Sequence, residues 1–288
     1  MLSIARHIDA YDIAQEIRIE RRIHKGSFLI VEGATDIKRF APYVSNEKCS
    51  LVNSYGRRKA IRTIQILEQW KINGVVAAVD ADFDRISNSI RKHENVLYSE
   101  KHDFDIDWAA PEVVDRYLKE VGDAEKCEPH GPPENIIMKI MLGLKPISVA
   151  RLMNDTREIP YKVSSVNAGD FFSKFVVDIK SYVRTLAQAS GATEAERQRT
   201  EELIVQKASG DFDLMQLTNG HDFYCALGAC LRTELGRRRV PQTWGSEVEM
   251  HIRLTFRDED FRATSIFRQL REWEKRNVPY GVVHDRFH

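Results

Sequence analysis

The sequence predicts an α/β fold, with a mostly parallel sheet carrying helices on both faces and joined to a mainly helical C-terminal domain. Short apolar runs bounded by turn residues alternate with segments of helical period along the first part of the chain. That alternation is the mark of parallel strands linked by crossover helices. The stretch GDAEKCEPHGPPEN (122–135) then concentrates Gly and Pro and breaks the periodicity. Beyond it the apolar spacing is mostly helical. The organisation read from this is a sheet domain over 1–121, a linker over 122–134, and a helical domain over 135–288 for substrate, dimer or partner contacts.

Taken in order, residues 3–23 carry Ile4, Ile8, Tyr11 and Ile17 at helical spacing with charges between them, an amphipathic helix lying on the sheet. SFLIV (27–31) reads as a short buried strand and TDIKRFAPYV as a helix interrupted near Pro42. CSLVN (49–53) is the second strand. SYGRRKAIRTIQILEQW follows as a long helix whose buried stripe is Ala60, Ile64 and Leu67, with Ile61 a further member. GVVAAVD (74–80) is the clearest strand, continuous and apolar between glycine and aspartate, and NVLYS (95–99) is another. Helices are expected around 134–154, 169–188, 193–207, 219–235 and 258–276, with a strand or two at 161–166 and 248–256.

Composition narrows the class. The chain has 288 residues, 43 basic and 43 acidic, so no global field points to a nucleic-acid partner, and the local distribution of charge matters more than the sum. Cys49, Cys127, Cys225 and Cys230 show no C-x-x-C pair and no zinc spacing, and read as reduced thiols of a cytosolic protein. The N-terminal residues have no apolar signal region, and no run approaches the roughly 18 residues of a membrane span. The expectation is a soluble, cytoplasmic protein. A P-loop, a serine elbow and a G-x-G-x-x-G fingerprint are all missing from the sequence, so nucleotide energy would come from another chain.

The chemistry is expected in the acids. Glu32 ends the SFLIV strand and Asp80 ends GVVAAV, and ligands of parallel sheets gather at strand carboxyl ends. Residues 80–84 read DADFD. An extended backbone would set Asp80, Asp82 and Asp84 on one side; a tight turn would fan them around one ion. Crowded carboxylates repel one another unless a cation joins them, and their hard oxygens suit Mg²⁺ or Mn²⁺. A solvated turn is the bland alternative. An EF-hand is excluded, since Arg85 and Arg91 occupy the places of its glycine and its bidentate glutamate.

VEGATD followed by VVAAVDADFD resembles the TOPRIM domain, whose signature is a strand-end Glu-Gly and a later strand-end Asp-x-Asp. SYGRRKAI resembles the glycine turn before its second helix, and the match covers about 26–110. Within that group HDFDIDW (102–108), NGHDFYCALG (219–228) and FRATSIFRQLREWE (261–274) are similar to blocks of OLD-type nucleases, and most of all to the standalone effector nucleases of PARIS-type anti-phage systems. The resemblance implies a TOPRIM, Rossmann-like fold and a Mg²⁺- or Mn²⁺-dependent endonuclease, with Glu32, Asp80 and Asp82 as its catalytic metal-binding core. It further implies a toxic effector held by an ABC-type ATPase until a phage trigger releases it, a homodimer when active, and RNA (transfer RNA in particular) favoured over DNA.

Around that core, Asp84 is a candidate for a second metal or an outer contact, and Asp103 and Asp105 are second-site candidates against a solvated turn opening the helix to Val121. Asp36 is expected to cap its own helix. Arg57, Arg58 and Lys59 follow Gly56 at a helix start and are candidates to touch the nucleic-acid backbone, a solvated basic turn being the alternative. Arg237, Arg238 and Arg239 form a second basic candidate. His221 and Asp222 lack the further ligands of an HD phosphohydrolase and are expected to make a structural His–Asp contact that pins a helix of the C-terminal domain. Two other functions stay open: a non-catalytic TOPRIM-like module docking on an ATPase or ribonucleoprotein, and a primase- or topoisomerase-related protein.

Overall fold

The computed structural model describes residues 7–163, 166–237 and 245–287. The chain forms two compact units, one of Met1–Ala81, Ile90–Glu100 and Arg257–His288, the other of Asp82–Ser89 and Lys101–Phe256.

The first unit is α/β. Helix α1 (Ala10–Glu20) precedes strand β1 (Ser27–Val31), helix α2 (Ala34–Phe40), strand β2 (Cys49–Asn53), helix α3 (Arg57–Gln69), strand β3 (Val75–Val79) and strand β4 (Val96–Tyr98). The four strands make one parallel sheet in the order β2-β1-β3-β4, with Val31 opposite Asn53 on one side and Ala78 on the other. β1 and β3 are buried along their whole length, which is why both read as unbroken apolar runs. Phe28, Ile30, Ala77 and Val79 meet Ile13, Ile17, Ile64 and Leu67 of α1 and α3 in one core. Asp9 opens α1 by accepting the N–H groups of Tyr11 and Asp12. Ile4, at the head of the expected helix, lies outside the described residues.

The second unit is built almost entirely of helices. A 3₁₀ turn (Asp82–Asp84) is followed by α4 (Phe104–Trp108), α5 (Pro111–Val121), α6 (Ala124–Cys127) and the long α7 (Pro133–Asp155). A small antiparallel pair, β5 (Phe172–Ser173) and β6 (Val176–Val177), leads to α8 (Ile179–Ser190), α9 (Glu194–Ala208), α10 (Leu214–Leu217), α11 (Gly220–Thr233) and α12 (Gly245–Thr255). Among the described residues no helix is long and apolar enough to cross a membrane.

The last segment, α13 (Asp258–Ala263) and α14 (Ser265–Arg276), belongs to the sheet unit. Gln269 Nε2 donates to the Tyr98 carbonyl at 2.9 Å and Trp273 Nε1 to Asn95 Oδ1 at 2.9 Å, so α14 lies along β4. The tail then runs beside residues 43–45, with Ser45 N–H donating to the Val282 carbonyl and His284 N–H to that of Tyr43, both at 2.9 Å. Buried Glu274 accepts the N–H groups of Val282 and Val283 at 2.6 and 2.8 Å. This differs from the division read from composition. The Gly/Pro-rich run at 122–134 sits inside the second unit and frames the short helix α6. Gly and Pro mark where a period breaks; they do not say which segments later pack together.

Residues 248–256, expected as a strand, belong almost wholly to helix α12. Of 161–166, Tyr161–Val163 and Val166 form no strand, and Ser164 and Ser165 lie outside the described residues. The single helix expected over 169–188 is a 3₁₀ turn, the β5–β6 pair and α8. The helix expected to run to Val121 breaks before Pro111, and that over 258–276 breaks at Thr264, which caps α14 through Phe267 N–H.

Candidate functional site

The strand order of the first unit places a topological switch point between β1 and β3, since the chain leaves β1 toward β2 on one side and returns through β3 on the other. Crevices at such points, outside the strand carboxyl ends, are where ligands of open α/β sheets bind. Glu32 and Asp80 are the first residues past β1 and β3. The structure brings them together: Asp80 N–H donates to Glu32 Oε1 at 2.8 Å. Both side chains are half-buried. The bond fixes the Glu32 carboxylate at the switch point.

The neighbouring turns are tied to the same edge. Ser54 donates its N–H and its hydroxyl to the Val31 carbonyl, each at 2.9 Å, and Gly56 N–H donates to the Glu32 carbonyl at 2.8 Å. Gly56 has φ 121°, a conformation that an L side chain resists, so a glycine is needed where α3 begins. Ala81 is clamped at both ends, its N–H donating to Ser99 Oγ at 2.8 Å and its carbonyl accepting from Arg57 at 3.3 Å. Sequence reasoning passed over Ser99, whose signal was a hydroxyl at the last position of NVLYS, a third strand end. Asp36 accepts Gly33 N–H at 3.0 Å at the start of α2, as a cap, and pairs with Arg39 at 2.5 Å.

The three basic candidates part company. Arg57 reaches back to Ala81 and lies over the Tyr98 ring at 5.6 Å. Lys59 donates to the Ile8 carbonyl at 2.6 Å and sits 5.9 Å from the Tyr55 ring. Arg58 is exposed. Of the second basic group, Arg237 donates to the Lys119 carbonyl at 3.2 Å, while Arg238 and Arg239 lie outside the described residues.

The remaining acids belong to the second unit. Asp82 and Asp84 lie in a 3₁₀ turn, so the extended reading of DADFD does not hold, and Asp82 takes the left-handed region at φ 47°. Its N–H donates to the His102 carbonyl at 2.7 Å; Asp84 accepts Ser89 Oγ at 2.9 Å. Asp103 is buried and caps α4 through Ile106 N–H at 2.9 Å while accepting Gly220 N–H at 2.7 Å. The approach is tight enough that a Cβ on Gly220 would stand 2.2 Å from the Asp105 Cβ. Tyr224 OH donates to the Asp105 carbonyl at 2.8 Å.

His102 is held by its N–H to the Met215 carbonyl and by Nδ1 against the Gln216 carbonyl, both at 3.0 Å, and burial pulls its pKa below the ordinary histidine value. Asp222 is fully buried and takes a two-pronged ion pair from Arg151, Nε to Oδ2 and Nη2 to Oδ1, the latter at 2.6 Å. The His–Asp contact expected here is not made: Asp222 pairs with Arg151, and His221 turns its Nε2 to Cys225 Sγ at 3.7 Å. All four cysteines are free, and burial pushes the Cys225 thiol up to about 11 and that of Cys49 to about 12, which leaves them unreactive at neutral pH.

Among the described residues no group of three or more His, Cys, Asp or Glu side chains converges as a ready-made metal cage. The Glu32–Asp80 pair still fits a hard divalent ion in kind, because Mg²⁺ commonly takes one or two carboxylates and fills its remaining positions with water and substrate phosphate. No protein-family model and no curated protein matches the chain.

Proposed function

We propose that the protein is a metal-dependent TOPRIM-type endonuclease. One observation carries the reading: two strand-end carboxylate residues, Glu32 and Asp80, are joined across the switch point of a parallel sheet. An Mg²⁺ or Mn²⁺ ion bound there would supply an activated water and charge relief on a phosphodiester. The chain's own part is positional. Asp80 N–H holds the Glu32 carboxylate in one orientation, Ser99 and Arg57 hold the Ala81 turn, and Asp82, two residues beyond Asp80, completes the motif that the resemblance assigns to catalysis. Exposed Arg58 on the first turn of α3 is the basic candidate best placed to meet a substrate phosphate.

The resemblance extends the proposal to a toxic anti-phage effector guarded by an ABC-type ATPase, dimeric when active, cutting RNA and transfer RNA in particular. Its fold would then be a TOPRIM sheet with a mainly helical companion domain. A second reading, a TOPRIM-like module that binds without turnover, draws support from the lack of a converged acidic trio among the described residues.

Purified protein incubated with Mg²⁺ or Mn²⁺, plasmid and total RNA, with EDTA controls, separates the two. Glu32→Gln keeps an oxygen able to accept the Asp80 N–H but removes the charge, and Asp80→Asn removes the neighbouring one. Cleavage that needs the metal and falls by about a thousandfold in both variants supports the nuclease. Cleavage that survives in Glu32→Gln overturns it.

A further inference from the structure

The sheet unit carries a basic and aromatic surface that the sequence scatters. Lys59 Nζ on the Ile8 carbonyl, Thr63 Oγ1 on the Ala10 carbonyl (3.3 Å) and Arg18 over the Trp70 ring (5.4 Å) set α1 and α3 side by side, running the same way. On α3 the exposed residues Arg58, Arg62, Gln65 and Gln69 fall at helical spacing and form one stripe without an acid. Arg62 is steadied there by Gln65 Oε1 at 3.1 Å. On α1, Tyr11, Gln15 and Arg18 form a matching exposed stripe.

The acids of both helices point elsewhere. Asp12, Glu16 and Glu20 share a different face of α1 by their spacing of four. Glu68, the single acid of α3, accepts Asn95 Nδ2 at 2.7 Å and meets His93 at 3.3 Å. Two rings complete the surface: Tyr11 is 51% exposed, and its ring lies 6.3 Å from that of Trp70 at 55°. The head of α3 is tied to Glu32 through Gly56, so the stripe starts beside the strand end described above.

We propose that this face of α1 and α3 is a track for a single nucleic-acid strand. Arg18, Arg58 and Arg62 take phosphates, while Tyr11 and Trp70 offer rings to unpaired bases. Guanidinium groups suit phosphate oxygens, and aromatic rings stack on any base, so the pairing binds a strand without reading its sequence. An acidic protein surface would answer the arginines equally but would have less use for the rings. The proposal rests on the nuclease reading for what is cut, though not for what is bound.

The test is fluorescence anisotropy with labelled single-stranded RNA and DNA of one sequence, and their duplexes, on the full chain in EDTA across a salt series. Wild type should bind the single strands. Arg18→Glu with Arg62→Glu should weaken binding at least about tenfold and flatten the log–log salt slope by about 1.4, two phosphate contacts at about 0.7 each. Tyr11→Ala should cost roughly tenfold with the slope unchanged, a split that loss of fold would not give. No binding by wild type, or equal binding after the double charge reversal, overturns the track. If binding is unmoved by charge reversal while cleavage needs Glu32, the track alone fails. If charge reversal abolishes binding but wild type cuts nothing, the nuclease reading alone fails.

Discussion

Asp222 in the helical unit and Glu32 in the sheet unit are both acids withdrawn from solvent, yet they are held differently. Asp222 is fully buried, with both oxygens taken by one guanidinium on α7. Glu32 is half-buried, with one oxygen set by a main-chain N–H at the edge where parallel sheets bind ligands. The first arrangement locks two helices together and leaves little for a ligand to do. The second fixes a carboxylate while keeping it at the surface. The lesson is that an acid's role is decided by where its partners come from, and that residue type says little about it.

The comparison predicts that stability and activity come apart. Asp222→Ala leaves the Arg151 charge unpaired at a site only 15% exposed, which costs about 3 kcal/mol, a large share of the roughly 5–15 kcal/mol that holds a typical domain. Replacing both partners, Arg151→Met with Asp222→Leu, should recover most of the loss, because two apolar groups need no solvation. Glu32→Gln, lethal to cleavage in the proposed function, should change stability by less than about 1 kcal/mol. Urea titrations of the variants check all three. A harmless Asp222→Ala would break the contrast.

Asp103 sharpens it, since sequence reasoning set this residue beside Asp105 as a second metal site. Its carboxylate caps α4 and holds Gly220, so Asp103→Ala should cost about 1–3 kcal/mol in the same titrations. Mn²⁺ affinity, followed by electron paramagnetic resonance, should stay close to wild type. A variant that keeps its stability and loses Mn²⁺ would move Asp103 to the metal-binding group.

How far these roles were legible depends on how local their cause is. β1 and β3 stand out because a buried parallel strand reads as an apolar run, and α3 and α7 because their apolar periods are long. Residues 248–256 mislead for a physical reason: Val248, Met250, Ile252 and Leu254 alternate as a strand would. The helix uses only every fourth of them, burying Val248 and Ile252 while Met250 and Leu254 stay 42% and 77% exposed. Glu32 and Asp80 were readable because a strand end is a local feature. The ion pair of Arg151 with Asp222 and the bond of Asp103 to Gly220 were not, because each joins parts of the chain far apart in sequence. A lone arginine in the apolar run PISVARLM was the available clue to the first.

The smallest expected effect concerns His102, through the pH dependence of the helical unit. Burial lowers its pKa in the folded state, so below the ordinary value of 6.5 the unfolded chain takes up the proton more readily than the folded one. The stabilisation associated with the neutral ring is fully present above pH 6.5 and is lost as pH falls beneath it. The hydrogen bond to the Gln216 carbonyl and the charges of Asp82 and Asp222 raise the pKa of this imidazole and Arg151 lowers it, so burial has to outweigh the bond and the acids for the direction to stand. His102→Asn retains a donor for the Gln216 carbonyl but has nothing to titrate. Urea midpoints measured from pH 7.5 to 5 should therefore fall less steeply in the variant than in wild type, with m-values unchanged. Parallel slopes would mean that the Gln216 bond and the acids hold His102 near its solution pKa and that its part is confined to the two main-chain bonds that keep it, and through its carbonyl Asp82, in place.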